Sequence, residues 1–457
     1  MAPDPRIMTA VEQLGYRVTV GDISAQAGLN INLAEQGLLA LASNAGGHLQ
    51  VAESGEIAYL FPKNFRSILR NKFLRLQLQE WWDKIWRVLF YLIRISFGII
   101  LMASIALIMI AIAIIVIAIS MSNDGSSSGG GGGSGGGSSS SGGGGGGLWS
   151  FFWFFDFGSN QGYDNRRGSY RSSKKSRRGS SHSYESLEES SEKKEMNFLE
   201  AMFSFLFGDG NPNTDLEERR WQEIGTVIRN SQGAVAAEQI APYLDNVGEG
   251  YKRESEDYIL PVLTRFNGRP EVSPDGEIVY HFPDLQTTAK AWEAQPVPAY
   301  LRERSWRFSK ASSGQLMLAI GLGGVNLVGA LMLGSLLRDG IAAQLGGLVA
   351  FVQSIYWVLL GYGIGFLAIP LIRYFWIQWK NSHIEARNQK RQEQAIALNQ
   401  ADTTVQKKIA YAQQFATQNV INKENLVYTS ETDLLDQDLE QSEQIDAEWR
   451  RRLESGS

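Results

Sequence analysis

The sequence predicts a mainly α membrane protein, with about three transmembrane helices carrying two winged-helix-like α+β soluble modules joined by disordered linkers. Three observations lead there. Long apolar runs occupy 88–121, 314–337 and 345–376. Glycine and serine alone fill 125–147. A motif at Gly55-Glu56-Ile57-Ala58-Tyr59-Leu60-Phe61-Pro62 recurs as Gly276-Glu277-Ile278-Val279-Tyr280-His281-Phe282-Pro283.

The first apolar run, with the segment IALIMIAIAIIVIAIS, exceeds the ~20 residues that cross ~30 Å of hydrocarbon as a helix. Its surplus length allows tilt or a helix that projects from the bilayer. The other two runs are separated by RDGIAAQL and predict a membrane hairpin. Glycine lets helix backbones approach closely, so Gly321, Gly324 and Gly329 on one run, and Gly361 and Gly365 on the other, are the candidate helix-packing positions. Met1 to Gly15 has no charged stretch leading into an apolar one, so it does not read as a signal peptide.

Basic flanks complicate the orientation. Lys63, Arg66, Arg70, Lys72, Arg75, Lys84 and Arg87 precede the first run; Arg302, Arg304, Arg307 and Lys310 precede the hairpin; Arg373, Lys380, Arg387, Lys390 and Arg391 follow it. Each flank favours the cytoplasmic-type face, and three simple spans cannot put all of them on one side.

Between the first run and the hairpin, residues 122–195 read as a Gly/Ser-rich disordered linker, since such a composition has no apolar surface to bury. Within it LWSFFWFFDF is too short to span and places Trp149 and Trp153 at the membrane interface. An amphipathic helix is predicted over 196–213, with Phe198, Phe203 and Phe207 on the face that meets the interface or a neighbour.

The recurring motif defines the modules, 1–62 and 214–300, with a basic amphipathic segment and the first transmembrane helix over 63–121 and a charged, helical C-terminal region over 377–457. Leu38, Leu39 and Leu41 match Ile259, Leu260 and Val262, and Val18 and Ile23 match Val235 and Ile240. Ser54-Gly55 and Asp275-Gly276 sit between alternating apolar stretches, a β-hairpin signal. Three helices and a hairpin resemble the winged-helix variant of the helix-turn-helix. DNA binding would require Lys or Arg on the third helix and wing. NINLAEQGLLALASNAGG has none, and the wings carry Glu53, Glu56, Glu271, Asp275 and Glu277. Protein contact is the better use of these surfaces.

Catalytic, cofactor-binding and metal sites are not predicted. The 457 residues include no cysteine, which excludes disulfide frameworks, thiolate catalysis and cysteine-ligated zinc or iron–sulfur centres. His48, His182, His281 and His383 are scattered without ligand spacing. Gly321 to Gly324 lies inside an apolar run, without the preceding strand that a nucleotide fingerprint needs.

The segments GEIAYLFPKNFR, LFYLIRISFGIILMASIAL, NFLEAMFSFLFGDGNPN, RWQEIGTVIR and ENLVYTSETDLL resemble a family of membrane proteins of cyanobacteria and plant chloroplasts. The likeness covers most of the chain outside the glycine tract. Plant members are loosely labelled as iron–sulfur cluster biosynthesis proteins, a label that the missing cysteines argue against here. The resemblance implies a photosynthetic lineage and a thylakoid or plasma membrane of a cyanobacterium.

The expected function is a non-enzymatic membrane scaffold or assembly factor. Its partners would be membrane lipid and proteins of photosynthetic or other membrane complexes; nucleic acid is not an expected partner. One alternative is a transporter or channel subunit, for which the apolar runs offer Asn326 and Gln353 but no Asp, Glu or Lys of the kind that marks ion pathways. The other is a membrane-tethered DNA-binding regulator.

Overall fold

A computed structural model describes residues 4–72, 74–123, 196–245, 247–248, 255–338, 345–400, 402–422, 425–432 and 449–451. The first module starts with α1 (Pro5–Gln13), whose cap Asp4 accepts the Arg6 N–H at 2.9 Å. β1 (Arg17–Thr19) leads into α2 (Val20–Ala27), which opens on a reciprocal Thr19–Asp22 capping box and closes on Gly28 at φ 61°. α3 (Ile31–Ala45) and the hairpin of β2 (His48–Ala52) and β3 (Ile57–Leu60) complete the unit. Its core joins Ile7, Val11, Ile23, Leu38 and Phe61 to Phe65 and Leu69 of α4 (Phe65–Lys72). The boundary expected at Pro62 therefore moves outward, because α4 closes this core.

The second module begins at α7 (Leu216–Asn230) and repeats that succession: β4 (Ala234–Val235), α8 (Ala237–Ile240), α9 (Leu260–Phe266) and the hairpin of β5 (Arg269–Val272) and β6 (Ile278–His281). Strand pairing matches too. The orders are β1–β3–β2 and β4–β6–β5, antiparallel throughout. Gly55 and Gly276, at the two turns, both stand at φ 83°, a conformation glycine adopts without steric cost. α10 (Pro283–Gln286) and β7 (Thr287–Thr288) follow.

Among the described residues, three helices are long and apolar enough to cross a membrane: Lys84–Met121, within α5 (Leu74–Asn123), then α11 (Ser313–Arg338), then α13 (Tyr356–Asn399). The third was expected to run unbroken over 345–376. Instead, α12 (Gly347–Ser354) stops at Ile355, at φ −101° and ψ 7°, before α13 starts. α13 then continues well past 376 and lays Ile384, Asn388, Arg391 and Ala395 against the second module. α6 (Phe198–Phe207) packs against α5, α11 and α13 rather than into the second module.

Of the five glycines expected at helix contacts, Gly329 lies at one and the other four do not. A Cβ at Gly323 would strike Phe366 and Leu367, one at Gly334 would strike Tyr356, one at Gly363 would lie 3.3 Å from Leu327 Cα, and one at Gly329 would lie 3.0 Å from Ile108. Gly321, Gly324 and Gly361 meet nothing within 4 Å, and Gly365 meets only Ile369 of its own helix. Spacing alone does not show which side of a helix faces its neighbour.

The C-terminal region folds back onto both modules. α14 (Thr403–Ala412) lies on β4 and β6, β8 (Asn419–Val420) pairs in parallel with β7, and β9 (Leu426–Thr429) adds to the β2 edge. Both modules and this strap thus share one end of the apolar bundle. Ile119 packs near Leu337 and Leu345 at the other end, whereas Met196 accepts a hydrogen bond from Gln315 at the module end. Residues 124–195 lie outside the described residues.

Candidate functional site

At the module end of the bundle the chain leaves α6 through the loop GDGNPN. Gly208 stands at φ 80°, and a Cβ there would come within 2.5 Å of the Arg373 guanidinium. Arg373 donates to the carbonyls of Ser204, at 3.2 Å, and Phe308. Asp209 accepts from Arg94 at 3.2 Å, the Ser204 hydroxyl at 2.8 Å and the Lys310 N–H at 2.7 Å. One carboxylate thereby ties α5, α6 and the approach to α11 together. It also supplies the partner that a charge within an apolar run needs.

Residues 301–307 belong to no helix or strand, yet their backbone is held by three asparagines. Asn388 takes the Glu303 N–H and C=O, both at 2.9 Å. Asn213 holds those of Arg304 at 2.8 and 2.7 Å, and Asn381 those of Trp306 at 2.8 and 2.9 Å. A carboxamide carries a donor beside an acceptor, so each amide substitutes for a neighbouring strand, and at Glu303 it satisfies buried backbone. Asn381 and Asn388 are seven residues apart and share one face of α13. Burial would raise the Glu303 carboxyl, but the paired hydrogen bonds from Arg387, at 2.7 and 2.6 Å, and the charges of Arg387 and Arg391 hold it below the usual range.

This fixed segment forms one wall of a cleft of about 690 Å³, into whose lining Arg219, Arg302, Arg304, Arg307 and Lys310 contribute. Aromatic rings sit alongside. Trp306 and Trp376 meet edge to face at 5.4 Å, with Lys380 over both rings, and Arg373 lies over Phe308 at 4.4 Å.

The second polar junction lies between the modules. Arg229 of α7 pairs with the buried Asp22, which also accepts the N–H groups of Thr19 at 2.8 Å and Ala289 at 3.0 Å. The strap is fastened by Lys408, which is almost fully buried and reaches Glu238 at 2.9 Å and Glu256. Burial would lower this ammonium, but the hydrogen bonds to both carboxylates outweigh it and its pKa rises.

Of the positions expected at the membrane interface, Trp149 and Trp153 lie outside the described residues. Phe203 and Phe207 face α5, Phe203 meeting Phe90 edge to face at 6.3 Å and Phe97 at 5.8 Å and Phe207 meeting Phe97 at 4.9 Å, while Phe198 packs against the cluster of Leu101, Met202 and Phe205. Asn326 is buried and accepts the Ser104 hydroxyl at 3.0 Å, while Gln353 is exposed on the bundle surface. The two amides do not share a path. His48, His281 and His383 hydrogen-bond Ser430, Gln286 and Trp379 respectively. Among the described residues no three His, Asp or Glu side chains gather as a metal site would require. Sequence reasoning missed the asparagine clamps, whose only trace is the basic run LRERSWRFSK before an apolar helix.

These features define a protein organised around a bundle of potential membrane-crossing helices, with two folded modules and a basic cleft at one end. The chain belongs to the family of an Arabidopsis thaliana protein described as "Uncharacterized protein At5g03900, chloroplastic", with 37% identity over 461 residues that cover 98% of this chain and 82% of the relative. No protein-family model and no solved structure matches.

Proposed function

We propose that this chain is a non-enzymatic integral membrane scaffold or assembly factor of a thylakoid or plasma membrane in a photosynthetic lineage. Its three apolar helices cross the bilayer. Its modules, copies of one winged-helix-like unit, present surfaces to protein partners of that membrane. The observation that carries this reading is the strap, which follows the third apolar helix, joins β7 of the second module's flank and adds a strand to the first module's sheet. A platform locked in this way keeps its surfaces in fixed relation to the bundle. All three basic flanks fall at this same end, as the positive-inside rule asks of a single cytoplasmic-type face, and the chloroplastic relative favours the plastid-type membrane.

The partner surface includes two leucines at matching places. Leu39 on α3 and Leu260 on α9 are 53% and 56% exposed. Around Leu39 the open face of α3 carries Asn32, Leu33, Glu35, Gln36 and Ser43, with no cation for phosphate, which favours protein over DNA. Affinity purification of the full-length protein in mild detergent is expected to recover membrane-complex subunits. Leu39→Asp with Leu260→Asp is expected to reduce their yield at least ~tenfold, as loss of interface anchors does, without changing the protein's own melting temperature. Recovery of the protein alone, or unchanged yields from the double variant, would count decisively against the proposal.

A further inference from the structure

The cleft beside the GDGNPN loop carries more positive charge than its own acids use. Five cations line it, Arg219, Arg302, Arg304, Arg307 and Lys310, against the carboxylates of Asp209, Glu303 and Glu385. Asp209 is committed to Arg94, and Glu303 is committed to Arg387 and Arg391. Arg304 leans on Asp215 at 3.5 Å. Arg219 Nε lies 3.1 Å from the same carboxylate and its Nη1 donates to the Arg302 carbonyl at 3.3 Å, but its buried Nη2 has no hydrogen-bond acceptor among the described residues. A buried guanidinium donor left without an acceptor costs free energy that a bound anion would recover.

The backbone that presents these cations is rigid. Asn388, Asn213 and Asn381 fix Glu303, Arg304 and Trp306, so Arg302, Arg307 and Lys310 are held around the opening without the ordering cost that a loose loop would incur. Planar guanidinium groups suit the oxygens of phosphate and sulfonate, which they can meet with paired hydrogen bonds. The cleft sits where the apolar helices end, next to Trp306, Trp376 and Phe308. Amphipathic rings at such a level mark the headgroup layer of a bilayer.

We propose that this cleft binds a phosphate- or sulfonate-bearing anion against Arg219, Arg302, Arg307 and Lys310, and its position favours the headgroup of an anionic lipid over a free ion. The lipid source rests on the membrane reading above; the anion site does not, and neither depends on the partner surface at Leu39 and Leu260. The test uses the full-length protein in nonionic detergent, titrated separately with short-chain phosphatidylglycerol, the matching phosphatidylcholine and inorganic phosphate, and followed by thermal shift.

Phosphatidylglycerol is expected to raise the melting temperature saturably, and phosphatidylcholine to leave it unchanged. The triple variant Arg302→Gln, Arg307→Gln, Lys310→Gln is expected to weaken the apparent affinity roughly a hundredfold. A control triple that removes the same charge elsewhere, Arg269→Gln, Lys290→Gln, Lys407→Gln, is expected to bind as the parent does. Arg307→Gln alone, at an exposed position that leaves the fold undisturbed, is expected to lose about fivefold. If phosphate alone reproduces the whole shift, the site stands and its source is the free anion. No shift with either phosphatidylglycerol or phosphate, or an equal loss in the control triple, would overturn the site.

Discussion

The two modules share their element order and strand pairing, and a difference at one helix cap bears on how they join. In the first, Thr19 and Asp22 cap α2 reciprocally. At the matching place in the second stand Ala236 and Gln239, and the Gln239 side chain accepts the Ala236 N–H at 2.9 Å. A neutral amide completes a cap and nothing more. The carboxylate of Asp22 also holds Arg229 across the interface. Glycine lets α2 and α7 approach: a Cβ on Gly225 would lie 2.9 Å from Ala25 Cα, and one on Gly28 would lie 2.9 Å from Trp221 Cβ. The first module therefore docks through its second helix, while the second docks through its first, and the pair is asymmetric despite matching topology.

Breaking this asymmetry should have the largest effect. Arg229→Met leaves Asp22 buried without its guanidinium and is expected to cost about 3–5 kcal/mol, read as a lower melting temperature of the detergent-solubilised protein. Adding Asp22→Asn should recover most of that loss, since removing both charges of a buried pair is often nearly neutral. A single variant within ~1 kcal/mol of the parent would show that the ion pair does not hold the modules together.

The strap distinguishes the modules in a second way, covering a sheet edge in the first and a sheet face in the second. Lys408→Met would strand Glu256, whose neighbour Tyr280 donates to it at 2.8 Å. Glu238 and Glu277 are about a third exposed and can turn to water. The expected loss is accordingly smaller, about 2 kcal/mol, and local: limited proteolysis should cut 402–432 sooner while the first module's core stays protected. Uniform protection in the variant would contradict a fastening role.

Much of this organisation was legible in residue pattern. The hairpin turns at Ser54-Gly55 and Asp275-Gly276, the three apolar helices and the missing thiol chemistry follow from periodicity, length and composition. The rest depends on contacts between distant segments. Asn213, Asn381 and Asn388 carry no local signature, because the backbone they hold at 303–306 lies 75 to 91 residues away. Gly323 and Gly363 were indistinguishable from Gly321 and Gly361 until helix facing was known. The strap's return to β2 links Gln50 with Thr429, a pairing that short-range spacing does not encode.

The smallest effect concerns a charge that only the second module buries. Glu223 on α7 is pushed up to about 7, first by burial, with Arg219 and Arg391 opposing, and one of its carboxyl oxygens is buried without a hydrogen-bond partner among the described residues. Burial of the Tyr243 phenol, and after it the nearby Glu223 charge, push that group up to about 12. Because the folded state holds the Glu223 proton more tightly than the unfolded chain, this group's contribution is most favourable below its ordinary carboxylate range. It is lost as pH rises from there to about 7, and stays constant beyond. Glu223→Gln should remove that slope and leave the alkaline side about 1 kcal/mol more stable after allowance for solvent screening, a gain of ~2–4 °C. Melting curves across this range that remain parallel for parent and variant would place the carboxyl in water, and the contrast between the modules would then rest on Asp22 and the strap.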